Sequence, residues 1–149
     1  MNYAKKIAAW GDRHHPWILD ILRIVLGLFL MNKGIVFLKD SGYLRDIILE
    51  KEAINQPPGV VSAIVFYVSY IHVLGGGLMV LGLHTRVWAI LQFPVVFGAV
   101  FLVNIIRPFV FAELWLSIIV LSLLLLFIII GSGPISLDHL LKRESSASK

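Results

Sequence analysis

Four polar or charged side chains interrupt stretches of sequence that are otherwise apolar, and their types are those that bind ligands or transfer protons. They are His72, Glu113, Lys33 and Asn104. An imidazole or a carboxylate can accept a proton, whereas an ammonium or an amide can donate a hydrogen bond to a bound oxygen atom. The apolar stretches are long enough to cross a membrane, as shown below. Ionisable groups are costly inside a membrane, so each one marks either a functional site or a structural partner.

The sharpest candidate is His72, because its own predicted helix places no charged residue beside it. Gly75 and Gly76 follow at three and four residues, which puts them on the same helical face. Glycines there predict a recess beside the imidazole, which either a neighbouring helix or the flat head of a lipid-soluble ligand can fill. His72 itself is either a neutral ring bonded to a tyrosine or a carbonyl across the bundle, or a group that binds a ligand. A bis-histidine haem is disfavoured because the other histidines fall at or outside the predicted membrane edges.

Glu113 follows Arg107 across a short link between two apolar stretches. A carboxylate at this depth either pairs with Arg107 or Lys33 or takes up a proton, and both a structural and a functional role remain open. For Lys33 and Arg107 the structural explanation is that their long side chains extend to the outer headgroups. No catalytic residue is assigned.

Asp20 and Arg23 are three residues apart, so they lie on one helical face and can pair directly. A structural ion pair is the simpler explanation, and a ligand-binding role is the alternative. Gly27 and Gly34 continue the same stripe and predict a groove for another helix. The predicted structural ion pairs involve Asp20, Arg23, Arg86 and Arg107.

Composition identifies the elements that must position these residues. The 149 residues are 58% hydrophobic and 15% charged, with a mean hydropathy of +0.89, which is typical of an integral membrane protein. A bilayer core of about 30 Å needs about 20 apolar residues per helix, and residues 17–38, 59–83, 87–108 and 109–131 meet that length. The prediction is an all-α, integral membrane four-helix bundle. Very short links make spans two, three and four antiparallel neighbours.

The predicted organisation is a single membrane domain over residues 17–141. Residues 1–16 form a cytoplasmic interfacial segment with a short amphipathic helix, a second surface helix precedes span two, and residues 142–149 are a disordered tail. After span four, Ser136 is placed to cap a further short helix. The larger share of the lysines and arginines falls on the side of the two termini, which places both termini in the cytoplasm.

The chain has no cysteine, which removes disulfides, thiolate zinc sites and iron–sulfur clusters from consideration. Any redox role must therefore use a bound cofactor, and no metal site is predicted. The net charge of +4 is explained by the membrane topology, so no nucleic-acid partner is expected.

The same residues resemble the DoxX family of small four-helix bacterial membrane proteins. The resemblance extends over about residues 17–141, and one departure is His72, where many relatives carry an acidic residue. Its motifs map onto span one at Leu22, Arg23, Leu26, Gly27 and Gly34, onto span two at Gly75, Gly76, Gly82, Leu83, Thr85 and Arg86, and onto span four and its exit at Glu113, Gly131, Gly133, Ser136, Leu137 and Asp138.

The resemblance implies an association with a thiosulfate:quinone oxidoreductase. Our leading hypothesis is a multi-pass subunit of the bacterial cytoplasmic (inner) membrane that supports quinone-linked redox chemistry. His72 and Glu113 would surround the quinone head, with Lys33 and Asn104 as further candidates and Gly75 and Gly76 as the recess. The protein would then be an oxidoreductase subunit and not a stand-alone enzyme.

The competing hypothesis is a non-catalytic membrane scaffold or assembly factor, and a small-solute or proton transporter ranks last. Expected partners are the lipid bilayer and either subunits of a membrane redox complex or further copies of the chain.

Overall fold

A computed structural model of the chain describes residues 16–42, 57–106 and 111–141. Within these ranges the backbone forms four long helices and no strand, which confirms the predicted all-α class. The helices are α1, Trp17–Lys39; α2, Pro58–Leu81; α3, Thr85–Ile106; and α4, Phe111–Ile130. The interfacial helices predicted before α1 and before α2 lie outside the described residues, as does the tail 142–149.

Each helix packs against the next one along the chain. α1 lies along α2, α3 contacts α2, and α4 lies along α3, whereas α1 and α4 touch only slightly. All four helices contribute to one buried apolar core. Its members are Leu26, Leu30, Met79, Ala89, Val96, Val120, Leu124 and Phe127.

The turn between α2 and α3 is short, and a glycine and two backbone hydrogen bonds form it. Gly82 ends α2 with φ 69°, in the left-handed region where a residue without Cβ is favoured. The N–H of Leu83 donates to the carbonyl of Leu78 at 2.9 Å, and that of Gly82 to Met79 at 3.1 Å. These bonds satisfy the last carbonyls of α2 and send α3 back antiparallel to it.

The outer faces of the helices are apolar. Trp17–Lys39 and Gly59–Leu81 are long and apolar enough to cross a membrane, and Thr85–Phe101 and Leu114–Ile130 are shorter apolar helices within the described residues. Large exposed apolar side chains occur on every helix, for example Val25, Leu28, Phe66, Leu74, Phe97, Ile119 and Leu125. Such surfaces suit lipid hydrocarbon, so the chain is a membrane helical bundle.

Glycines of α1 and α2 bring the backbones of these two helices close together. A Cβ atom added to Gly76 would lie 2.6 Å from the carbonyl oxygen of Gly27 and 2.6 Å from the backbone nitrogen of Met31. One added to Gly34 would lie 2.7 Å from the backbone nitrogen of Val73. The groove predicted on α1 is therefore present, and α2 occupies it.

Candidate functional site

His72 is buried in the middle part of α2, with only 5% of its surface exposed. Its Nδ1 lies 2.9 Å from the carbonyl oxygen of Val68, one turn earlier in the same helix. The acceptor thus belongs to the histidine's own helix and not, as predicted, to a group across the bundle. A carbonyl can only accept, so Nδ1 carries the hydrogen, and in the neutral ring Nε2 then presents a lone pair. From α1, the ring of Phe37 meets the imidazole edge-on, with 6.1 Å between ring centroids.

The space beside the two predicted recess glycines is filled by protein. A Cβ atom on Gly75 would lie 2.5 Å from Nε2 of Gln92 on α3, and one on Gly76 would meet the backbone of α1. The sequence left open whether a neighbouring helix or a ligand head fills this recess. In the structure, neighbouring helices fill it. A ligand head next to His72 must approach from a different side.

Gln92 is a fully buried amide that sequence reasoning did not include among the site residues. Its Nε2 lies 3.5 Å from the sulfur of Met79, a weak acceptor, and no donor in the described part of the chain reaches its Oε1. The signal available in the sequence was a glutamine inside an apolar run, since burying an amide carbonyl without a donor is costly. Gln92 lies at the contact between α2 and α3.

The remaining predicted site residues are placed less fully. Lys33 lies on α1, and its Nζ is 5.8 Å from the centroid of the Phe29 ring, a cation–π contact. Asn104 belongs to α3 and Glu113 to α4, but their side chains are not among those described. The predicted ion-pair residue Arg107 lies outside the described residues altogether. Contacts among these four groups therefore stay predictions.

The predicted pair of Asp20 and Arg23 is confirmed. Nη1 of Arg23 lies 3.0 Å from Oδ1 of Asp20, and each side chain is 1% exposed. Nη2 of the same guanidinium donates to the carbonyl oxygen of Ile135 at 2.6 Å. Arg23 therefore connects α1 to the segment that follows α4. The carboxylate of Asp20 compensates its buried charge.

Arg86 was predicted to form an ion pair, and its contacts within the described residues are with backbone carbonyls. Its Nη2 donates to two carbonyl oxygens, those of Ile129 and Ile130, at 3.0 Å each. The last carbonyls of a helix have no intrahelical donor and carry the negative end of the helix dipole. The C-terminus of α4 therefore takes the place of a carboxylate, and Gly131 leaves room for the guanidinium.

The segment after α4 is bonded to the turn between α2 and α3. The hydroxyl of Ser136 accepts from the N–H of His139 at 3.3 Å, which confirms the predicted cap, and donates to the carbonyl of Gly133. Oδ2 of Asp138 accepts from the backbone N–H of His84 at 2.9 Å. Sequence reasoning missed this last bond, which joins residues far apart in the chain.

These contacts define one end of the bundle, which we call the polar end. It comprises Asp20, Arg23, Arg86, Ser136 and Asp138. Arg23 and Arg86 each donate to carbonyl oxygens within residues 129–135, and Asp20 pairs with Arg23, so the three side chains lie at the same end of the bundle. Most hydrogen-bond acceptors at the polar end are backbone carbonyls. The polar end therefore holds the helix ends together and provides few side-chain groups that could react. Among the described residues, no three His, Cys, Asp or Glu side chains are grouped to hold a metal ion.

The fold and these contacts define a small helical membrane protein whose first two spans pack through glycines. The family model described as DoxX matches residues 18–105, more than half of the chain, and the chain belongs to the DoxX family. The match includes α1, α2 and nearly all of α3, whereas the motifs at Glu113 and after α4 lie beyond it. No curated protein and no solved structure shows significant similarity to the chain.

Proposed function

We propose that this DoxX-family protein is an accessory subunit of a quinone-linked redox system in the bacterial cytoplasmic membrane, with both termini on the cytoplasmic side. The observation that carries the proposal is the state of His72. Arg23 and Arg86 are occupied in joining helices, whereas the bond from His72 to Val68 uses only one ring nitrogen. The second nitrogen remains an acceptor inside an apolar span.

A lone pair on Nε2 of His72 suits the reduced form of the cofactor. A quinol carries two hydroxyl groups, and its oxidation to a quinone releases two protons and two electrons. Nε2 can accept the hydrogen bond, and then the proton, of one hydroxyl. Glu113 is proposed as the acceptor for the second, with Lys33 and Asn104 as donors to the quinone oxygens. The electrons pass to a redox centre held by a partner subunit.

The quinol head would reach His72 on the side of Phe37. The helix faces at Gly75 and Gly76 are already filled by Gln92 and by α1. Phe37 is only partly buried, and its ring contacts the imidazole edge-on. If this ring moved aside, a flat ligand could reach His72. An aromatic ring of this kind can also stack on the incoming head.

The substitution His72→Gln tests the proposal. Quinone is extracted from protein purified from its native membranes and quantified per chain. We expect wild-type protein to carry quinone and the variant to carry about tenfold less, equivalent to about 1.4 kcal/mol of binding free energy. A wild-type preparation free of quinone, or equal quinone in both proteins, would refute the proposal.

Ser69→Ala supplies a matched control. Ser69 is buried in the same helix, and its hydroxyl donates to the carbonyl of Val65 four residues earlier, as His72 does to Val68. Loss of that bond should leave the quinone content unchanged. A fall in both variants would trace the loss to the packing of α2 and not to the imidazole.

A second candidate function is a scaffold or assembly factor without quinone, and the close contact of Gly27 with Gly76 favours it. In that case the small and charged residues serve helix packing alone. It predicts that His72→Gln leaves a co-purifying membrane complex intact, whereas Gly76→Leu abolishes it. Mass spectrometry of the proteins and lipids that co-purify with each variant separates the two functions.

A further inference from the structure

The outward face of α2 differs from a simple lipid-facing surface because it carries two tyrosines. Its exposed residues recur at intervals of three or four, so they lie on one side of the helix. They are Gly59, Val60, Ala63, Phe66, Tyr67, Tyr70, Leu74 and Leu81, which we call the α2 stripe. Tyr67 is 51% exposed and Tyr70 is 54% exposed.

Both tyrosines lie near the midpoint of Pro58–Leu81. Tyrosine is usually enriched at the membrane–water interface, where its hydroxyl meets water or headgroups. A side chain at the centre of a hydrocarbon layer about 30 Å thick is too short to reach either interface. In the described part of the chain, neither hydroxyl takes part in a hydrogen bond. An isolated copy in lipid would therefore bury two polar groups in hydrocarbon without partners, which is costly.

We infer that the α2 stripe is the contact surface for a second copy of this chain, α2 against α2. Two copies inserted in the same orientation are related by a two-fold axis along the membrane normal, so identical residues meet at identical depth. A tyrosine hydroxyl both donates and accepts. Tyr67 and Tyr70 can therefore bond to their counterparts in the second copy, which supplies polar groups at the depth where they are needed.

The size and shape of the stripe agree with such a contact. A Cβ atom on Gly59 would meet nothing within 4 Å, and Ala63 is exposed one turn later, so the two backbones can approach closely at this end. Phe66, Tyr67 and Tyr70 are each about half exposed, and aromatic side chains present about 150–250 Å². With the other members of the stripe, two copies would bury roughly 1,000 Å², which is what a specific interface needs.

The inference does not rest on the proposed function. His72 lies on the opposite side of α2 from Tyr70 and packs against Phe37 of α1. A protein without bound quinone would not contradict the dimer, and a monomeric protein would not contradict the quinone site.

Disulfide crosslinking tests the contact in native membranes, because the chain has no cysteine of its own. Ala63→Cys and Leu74→Cys place one thiol on the α2 stripe, and Ile119→Cys places one on the outward face of α4, where Ile119 is 54% exposed. We expect oxidation to yield a dimer of this chain from the first two variants, at least tenfold more than from the third. Equal yields from all three, or a link from the stripe to a different protein, would overturn the inference.

The hydroxyl groups are tested by Tyr67→Phe combined with Tyr70→Phe, which keeps both rings. The dissociation constant of the dimer, measured by analytical ultracentrifugation in detergent, should rise about tenfold in the double variant. An unchanged constant, or a wild-type protein that is monomeric throughout, would contradict the proposed contact.

Discussion

Replacing Gly76 by alanine is expected to destabilise the protein by about 3 kcal/mol, whereas the same change at the adjacent Gly77 is not. At position 76 the new Cβ would lie 2.6 Å from backbone atoms of Gly27 and Met31, and backbone cannot rotate away as a side chain can. At position 77 the nearest atom is the sulfur of Met31 at 3.8 Å, an ordinary contact. Thermal unfolding of the two purified variants in the same detergent measures the difference.

Gly77→Ala is the control for Gly76→Ala, because the two glycines are adjacent in the same helix. Both substitutions remove the same backbone freedom from the unfolded chain, a gain of up to about 1 kcal/mol, so any difference reflects the packing. Gly75→Ala should fall between them, because its Cβ would meet the flexible end of Gln92 at 2.5 Å. Equal effects at positions 76 and 77 would show that α1 and α2 do not pack through Gly76 as described.

The sequence was sufficient to predict the helices, because the thickness of a bilayer fixes the length of an apolar span. It also predicted contacts that depend only on local helix geometry. The Asp20–Arg23 pair follows from a spacing of three residues, and the Ser136 cap follows from a serine just before a short helix. Neither prediction requires knowledge of how the helices pack against one another.

Contacts between helices were not predictable in the same way. The carbonyl acceptors of Arg86 come from the end of α4, and no local spacing relates position 86 to positions 129 and 130. The predicted recess is instructive as well. Gly75 and Gly76 follow His72 on one broad face, but consecutive helical residues are rotated by about 100°, so one glycine faces α3 and the other faces α1. Only the rotation of each helix within the bundle decides what fills such a space.

Replacing Arg23 by methionine is expected to have the other large effect, a loss of about 3–5 kcal/mol of stability. The guanidinium is almost fully buried, donates to Asp20 at 3.0 Å, and bonds to the carbonyl of Ile135 after α4. Its removal would take away the guanidinium that pairs with this carboxylate, and would remove the bond that ties Ile135 to α1. Lys33→Met lies on the same helix and removes an ammonium that sits 5.8 Å from the centroid of the Phe29 ring, so it should cost less than about 1 kcal/mol.

A double-mutant cycle shows whether this loss belongs to the pair or to packing. Replacing a buried ion pair by neutral groups is often nearly neutral, whereas removing one partner is not. Arg23→Met combined with Asp20→Asn should therefore be more stable than Arg23→Met alone, with a coupling of about 1–3 kcal/mol measured by unfolding in detergent. Additive effects would mean that the two charges do not act as a unit. The ligand-binding alternative for Arg23 would then gain support, because a guanidinium kept for an external anion draws no stability from Asp20.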